Sequence, residues 1–147
     1  MAAELVITRV LDAPRRVVFK AWTDPAQAVR WWGPRGFTTH SCTMDVQPGG
    51  ACSLCMRSPE GVEHWRQGVY REVVEPERLV FTWISQDAEG RPGPETLVTV
   101  TFAEADGRTT LTLHQTGLDD AAQSHSRRVG WTEGLERLAE ILSHKGD

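Results

Sequence analysis

Residues 68–83 read GVYREVVEPERLVFTW, two runs rich in β-branched and aromatic residues on either side of the reversal EPER at 75–78. Such runs favour β-strands, and a proline-containing reversal favours a turn. Strands joined by so short a turn must be antiparallel. The stretch therefore predicts a β-hairpin, and a tip at Pro76 and Glu77 would set Tyr70 opposite Trp83.

The same pattern of strands and tight turns continues on both sides of this hairpin. Strands are predicted at about 4–11, 38–46, 51–58, 62–74, 78–85, 95–104 and 108–116. Two short helices, the first capped by Asp12 and the second starting at Asp24-Pro25, separate the first two strands. After Gly117 an apolar stripe at helical spacing predicts one long helix. The order β-α-α-β6-α predicts an α+β fold, a curved antiparallel sheet of about seven strands around a long C-terminal helix.

Length and composition restrict the function. A chain of 147 residues with 39% apolar and 24% charged residues is typical of one globular domain, so residues 1–147 are expected to form a single domain. The net charge is −4 and no basic run occurs, which argues against a nucleic-acid partner. No apolar stretch is long enough to cross a membrane and no export signal is recognisable, so we expect a cytoplasmic protein without a membrane partner.

The inner face of the predicted sheet changes character along its length. In the last hairpin, a tip at Asp106-Gly107 sets Val100 opposite Leu113 and Val98 opposite Gln115, and the inner face is aliphatic at one end. Towards the other end, polar groups lie among rings, as a cavity for an amphipathic small molecule would require. The alternative is that His64 and Arg66 lie near an open sheet end and simply reach water. The expected cavity-lining residues are Trp32, His64, Arg66, Tyr70, Phe81, Trp83, Gln115 and Trp131.

Motifs of known chemistry are absent or misplaced. The CxxC spacing of Cys52 and Cys55 falls in a predicted strand, where positions three apart face opposite ways, although Cys42 could lie opposite Cys55. The five histidines show no metal-ligand spacing, and no glycine-rich phosphate loop precedes a helix. We expect no metal, no cofactor and no catalytic residue. Glu72 beside Tyr70 or His64 could form an acid/base pair, but it could equally be a surface residue.

Several motifs in order resemble one known family. They are VFKAWTDP (18–25), RWWGP (30–34), DVQPGG (45–50), GVYREVVEPERLVFTW (68–83), VTVTF (98–102) and GWTEGLERL (130–138). The chain resembles a bacterial single-domain member of the family homologous to the activator of the heat-shock-protein-90 ATPase, within the START-like (SRPBCC, birch-pollen-allergen-like) superfamily. The resemblance covers nearly the whole chain, and Gln47, where arginine is common in the family, is a minor departure. It implies the helix-grip fold.

The resemblance leaves three functions open. The first is non-enzymatic binding of a hydrophobic or aromatic small molecule in the cavity between sheet and C-terminal helix. The second is regulation of a chaperone ATPase by protein contact, with the chaperone as partner. The third is a cyclase or hydrolase acting on a cavity-bound hydrophobic substrate, and the family offers no shared catalytic residue for it. In each case the chain would act as a monomer or homodimer.

Overall fold

The computed structural model describes residues 3–86, 91–118 and 121–143. Asp119 and Asp120, expected at the start of the last helix, lie outside the described residues. The strands are β1 (Ala3–Leu11), β2 (Thr38–Met44), β3 (Ala51–Arg57), β4 (Glu63–Val74), β5 (Arg78–Ser85), β6 (Thr96–Ala105) and β7 (Arg108–Leu118). The helices are α1 (Arg15–Thr23), α2 (Pro25–Ala28) and α3 (Ala121–Ser143).

The strands form one seven-stranded sheet in the order β1-β7-β6-β5-β4-β3-β2, with every neighbouring pair antiparallel. The predicted fold class and the β-α-α-β6-α order are confirmed. Of the helices described, none is both long and apolar enough to span a membrane.

The β6–β7 hairpin has the register predicted from its turn. Val98 pairs with Gln115, Val100 with Leu113 and Phe102 with Leu111. Asp106 and Gly107, the two turn residues, both have positive φ, at 55° and 76°. Two such residues make the hairpin turn that matches strand twist, and the register of a two-residue turn is fixed.

The β4–β5 register differs from the prediction. Tyr70 pairs with Phe81 rather than with Trp83, because only three residues, Glu75 to Glu77, separate the strand ends, and the register shifts again between Tyr70 and Glu72. Past this bulge Glu72 is exposed, and its carboxylate lies 3.2 Å from Nε of Arg78. Glu72 is therefore a surface residue.

The β2–β3 register is one residue away from a cysteine pair. Ser41, not Cys42, lies opposite Cys55, and the register shifts between Thr39 and Ser41. All three cysteines are free. Cys52 belongs to the hydrophobic core, whereas Cys55 lies on the other face, as strand geometry requires for positions three apart. Burial raises the pKa of Cys42 to about 11 and that of Cys52 to about 12, so both thiols stay protonated near neutral pH.

The two short helices begin differently. The predicted cap at Asp12 is wrong: Pro14 is the residue before α1, no side chain caps it, and Asp12 instead lies 3.6 Å from Arg108. Asp24 does cap α2, since its Oδ1 accepts from the amide of Ala26 at 3.1 Å.

The core lies between the sheet and the helices and is rich in aromatic rings. Leu135 and Leu138 of α3 are fully buried, whereas Val129, nearer its start, is 43% exposed. Trp22 is at the centre of the ring cluster, with ring centroids 4.8 Å from Trp31 and 5.1 Å from Trp32. Continuous packing of this kind leaves room for a cavity only where the helix stands away from the sheet.

Candidate functional site

An open cavity of about 540 Å³ separates the first half of α3 from the inner face of the sheet. The connection from α2 to β2 supplies one wall, with Trp32, Gly33, Pro34 and Phe37. The sheet supplies Met56, His64, Arg66 and Trp83, and α3 supplies His125, Ser126, Arg127, Val129, Gly130 and Trp131.

Three tryptophans give the cavity an aromatic floor. The ring of Trp32 lies 5.5 Å from that of Trp83 and 5.7 Å from that of Trp131, centroid to centroid. Each of the three is no more than 6% exposed, so their rings are held by the core and present only an edge or part of a face to the cavity. Rings fixed in this way offer a rigid apolar surface for another ring or an alkyl chain.

The cavity lining also includes two arginines and a histidine. His64 and Arg66 alternate inward along β4, and Arg127 reaches in from α3. Desolvation and the charge of Arg127 lower the pKa of Arg66 to about 10, and desolvation also lowers the pKa of Arg127. The pKa of His64 is lowered by desolvation and by both guanidinium groups, against a smaller opposing effect of Glu60. The cavity therefore combines apolar walls with concentrated positive charge.

Gln115 supports the cavity from behind. It is 1% exposed, and its amide accepts from Nε1 of Trp131 at 2.9 Å and donates to Oγ1 of Thr96 at 3.0 Å. Thr96 in turn donates to the carbonyl of Trp83. These hydrogen bonds orient the indole of Trp131 and hold the backbone of Trp83. Gln115 itself lies beside a void of about 10 Å³ rather than in the open cavity.

Tyr70 and Phe81 lie deeper, where the interior is filled. They surround a void of about 10 Å³, shared with Trp32 and Trp83, which is space for about one water molecule. Burial raises the pKa of Tyr70, so its hydroxyl stays protonated. Of the eight residues expected to line the cavity, the structure brings together Trp32, His64, Arg66, Trp83 and Trp131, and it places Tyr70, Phe81 and Gln115 behind them.

Sequence reasoning missed the contribution of the first half of α3. Arg127 precedes Trp131 by four residues, so helical spacing puts the two side chains on one face. That signal was available in the sequence. Phe37 and Met56 gave no such signal, because they reach the cavity through the path of the α2–β2 connection; the ring of Phe37 lies 5.4 Å from that of His64.

The wall formed by this connection is fastened to α3. Arg137 donates to the carbonyl of Gly33 at 3.0 Å and to that of Arg30 at 3.1 Å. The amide of Arg35 donates to Glu133 at 3.0 Å. Side chains of the helix thus take the place of backbone partners that the irregular connection lacks.

A group of metal-ligand type occurs elsewhere, on the outer face of the sheet. His40, Cys55 and Glu63 come from three adjacent strands, and one ligand-type atom of each lies within 4.8 Å of the others. A metal ion would compete there with Arg57, because the same oxygen of Glu63 already lies 3.2 Å from both Arg57 and His40. No spacing in the sequence signals this group, since its members are brought together only by strand pairing.

Comparisons with known proteins agree with this architecture. A protein from Chromobacterium violaceum of known structure is 29% identical, with a TM-score of 0.86 over 95% of this chain and 96% of that one. The AHSA1 protein from Silicibacter pomeroyi is 29% identical, with a TM-score of 0.87 over 96% and 98% of the two chains. A protein from Rhizobium leguminosarum is 27% identical, with a TM-score of 0.82 over 99% and 97%. No curated protein sequence matches the chain.

The family model described as activator of Hsp90 ATPase homolog 1-like protein matches residues 12–143. The match includes both short helices, the sheet from β2 to β7 and all of α3, and the START-like superfamily fits the fold. The chain therefore belongs to the family of activator of Hsp90 ATPase homolog 1-like proteins.

Proposed function

We propose that the protein binds a hydrophobic or aromatic small molecule in the cavity under α3, without transforming it. The observation that carries the proposal is the cavity of about 540 Å³ beside three fixed tryptophans. Ligand pockets commonly measure about 300–1,000 Å³ and are mostly apolar with a few convergent polar groups. The family's START-like fold suggests ligand binding, which supports the proposed binding of a small molecule.

Binding is favoured over catalysis by where the candidate acid and base groups lie. His64 and Arg66 line the cavity, but Tyr70 is behind its floor and Glu72 is exposed beside Arg78. A general acid/base pair must reach the reacting atoms within hydrogen-bond distance. His64, Arg66, Tyr70 and Glu72 therefore do not meet at one point.

The test is a variant that fills the cavity without disturbing the fold. A side chain at Gly130 would enter the cavity, and its Cβ would meet only Cγ of Pro34, at an ordinary contact distance of 3.7 Å. Gly130→Leu should therefore fold, and its helix should gain up to about 1 kcal/mol because glycine is a poor helix former. N-phenyl-1-naphthylamine, an uncharged aromatic probe, should bind the wild type and lose at least about tenfold in affinity with Gly130→Leu.

Gly130→Ala is the matched control. It shares the change in helix propensity but adds only one methyl group, so it should keep the affinity for the probe within about twofold. Binding is read from probe emission and from quenching of tryptophan fluorescence. If the wild type does not bind the probe, or if Gly130→Leu binds it as well as the wild type does, the cavity is not the binding site.

Regulation of a chaperone ATPase is the second candidate. It is supported by the description of the family and by exposed apolar residues on the outer face of β4, where Trp65 is 41% and Val69 is 40% exposed. This function would use the outer face of the sheet rather than the cavity. Trp65→Arg should then abolish stimulation of a bacterial chaperone ATPase and leave probe binding intact. Gly130→Leu should retain that stimulation and lose probe binding.

A further inference from the structure

Two guanidinium groups reach into the cavity without a carboxylate to balance them. Across residues 3–86, 91–118 and 121–143, neither Arg66 nor Arg127 forms an ion pair. Arg66 has one described hydrogen bond, from Nη1 to the carbonyl of Trp65 at 3.1 Å. By contrast, carboxylates lie within ion-pair distance of seven arginines outside the cavity, Arg9, Arg15, Arg35, Arg57, Arg71, Arg78 and Arg108.

This arrangement costs folding free energy. Removing a charged group from water is unfavourable unless a partner compensates for the lost hydration. Two like charges that also repel each other add to the cost. Desolvation first, and then the charge of Arg127, lower the pKa of Arg66 to about 10. Water entering the open cavity offsets part of the cost, but a negatively charged occupant would offset much more of it.

The surroundings decide what that occupant can be. Glu60, whose charge reaches His64, is exposed and does not line the cavity, so it supplies no counter-charge there. The rest of the lining is apolar, including Trp83, Trp131 and Phe37. A simple inorganic anion would leave that apolar surface unused, whereas a molecule with an apolar body and an acidic end would use both parts.

We propose that the ligand is an amphipathic anion, whose ring system or alkyl chain lies against the tryptophans and whose acidic group is bound by Arg66 and Arg127. Carboxylates, sulfonates and phosphates all match the planar fork of a guanidinium, which can donate two parallel hydrogen bonds. This inference rests on the proposed function, because it specifies the chemical class that the same cavity selects.

A matched pair of probes separates the charge from the apolar body. 8-Anilinonaphthalene-1-sulfonate has the ring system of N-phenyl-1-naphthylamine with one sulfonate added. The wild type should bind the sulfonate at least about tenfold more tightly than the uncharged probe, since hydrogen bonds to charged groups are stronger than those between neutral groups. The preference should shrink in 0.5 M NaCl only in part, because a partly buried ion pair is screened weakly.

The variants assign the preference to the two arginines. Arg66→Gln and Arg127→Gln should each weaken binding of the sulfonate about tenfold and leave the uncharged probe within about twofold. Arg71→Gln, on the same strand as Arg66 but with a side chain 59% exposed on the outer face, should change neither affinity. Gly130→Leu should abolish binding of both probes, which distinguishes binding in the cavity from nonspecific dye binding.

Circular dichroism and the melting temperature check that each variant folds. If Arg66→Gln does not fold, Arg127→Gln, on the less tightly packed half of α3, still tests the inference.

Each outcome bears on a different claim. Equal affinity for the two probes, or a preference that survives both glutamine variants, overturns the inference about the anion while the cavity remains a binding site. Binding of neither probe overturns the proposed function and this inference together. Loss of sulfonate binding in both glutamine variants, with the uncharged probe retained, supports the inference.

Discussion

At the scale of single residues, two neighbouring tryptophans of the core have opposite hydrogen-bonding states. Nε1 of Trp31 donates to the carbonyl of Ala21 at 3.0 Å. That carbonyl needs a side-chain donor because Pro25, four residues further along the chain, has no N–H to offer. Nε1 of Trp22 is buried with no hydrogen-bond partner. The same indole group is thus stabilising at one position and carries an unmet desolvation cost at the other.

Replacing each of these tryptophans by phenylalanine should therefore have unequal effects. Trp31→Phe leaves a buried carbonyl without a donor, whereas Trp22→Phe removes the unsatisfied N–H along with some packing. We expect Trp31→Phe to lower the free energy of unfolding by about 1–2 kcal/mol more than Trp22→Phe does. Urea denaturation followed by circular dichroism measures both, and equal losses would contradict the assignment of these hydrogen bonds.

His64 gives the cavity a dependence on pH. Its pKa is lowered by desolvation, Arg66 and Arg127, so its uncharged form is favoured near neutral pH. An anion beside it raises that pKa again, and binding must then take up a proton. Affinity for the sulfonate probe should rise as the pH falls from about 7.5 to about 5.5, the range in which imidazoles titrate.

The uncharged probe should show no such dependence, and His64→Gln should flatten that of the sulfonate. His125 also lines the cavity and Glu60 acts on His64 from outside it. His125→Gln is therefore the control that assigns the titration to His64. Fluorescence titrations at a series of pH values provide the measurement, and an affinity that falls with acidification would contradict the sign.

At the scale of elements, the β4–β5 pair depends on one close approach of two backbones. A Cβ at Gly68 would lie 1.7 Å from the carbonyl oxygen of Thr82, a distance that no side chain can tolerate. At the next residue the amide of Val69 donates to Oγ1 of Thr82 at 2.8 Å. This close approach lies between Arg66, which lines the cavity, and Tyr70, which lies in the core.

Gly68→Ala should consequently destabilise the fold strongly, although it adds only one methyl group. We expect it to lower the free energy of unfolding by at least about 2 kcal/mol, because the strands must separate to admit the methyl group. Gly61→Ala is the matched control: φ is +86° there but no atom lies within 4 Å of the added Cβ. Its cost should be near the ~1 kcal/mol of a left-handed alanine, and comparable losses for the two variants in thermal or urea unfolding would refute the close approach.

The elements also show how far the sequence alone predicts this protein. Strand positions and the β6–β7 register followed from alternation and from a two-residue turn that fixes its own geometry. The registers of β4–β5 and β2–β3 could not be obtained in this way, because each pair contains a bulge, near Arg71 and near His40. Amino-acid composition does not reveal where a bulge inserts its extra residue. A register error moves residues such as Glu72 from one face of a sheet to the other.

The cavity was only partly predictable for a related reason. Alternation along β4 predicts His64 and Arg66 on one face, both line the cavity, and helical spacing could have added Arg127. What alternation cannot give is the distance between α3 and the sheet, which decides that the space at Trp83 is open while that at Tyr70 is filled. That distance depends on the three-dimensional path of the α2–β2 connection held by Arg137.

At the scale of the whole molecule, ligand binding and stability are linked, because the cavity exists only in the folded chain. A ligand present at one hundred times its dissociation constant should raise the free energy of unfolding by about 2.7 kcal/mol. We expect the sulfonate probe to produce this shift in urea denaturation of the wild type, followed by circular dichroism. Gly130→Leu should show almost none of it, and a shift of equal size in that variant would place the probe outside the cavity.

The ring cluster of the core has an optical consequence. Trp22, Trp31, Trp32 and Trp131 form a connected set with neighbouring centroids 4.8–6.0 Å apart. Indoles at such separations exchange excitation energy before they emit and couple their transition dipoles in near-ultraviolet circular dichroism. A ligand touching only Trp32 and Trp131 would thereby quench light absorbed by Trp22 and Trp31 as well. Tryptophan fluorescence of the whole cluster should therefore respond to a ligand that contacts only the two rings at the cavity.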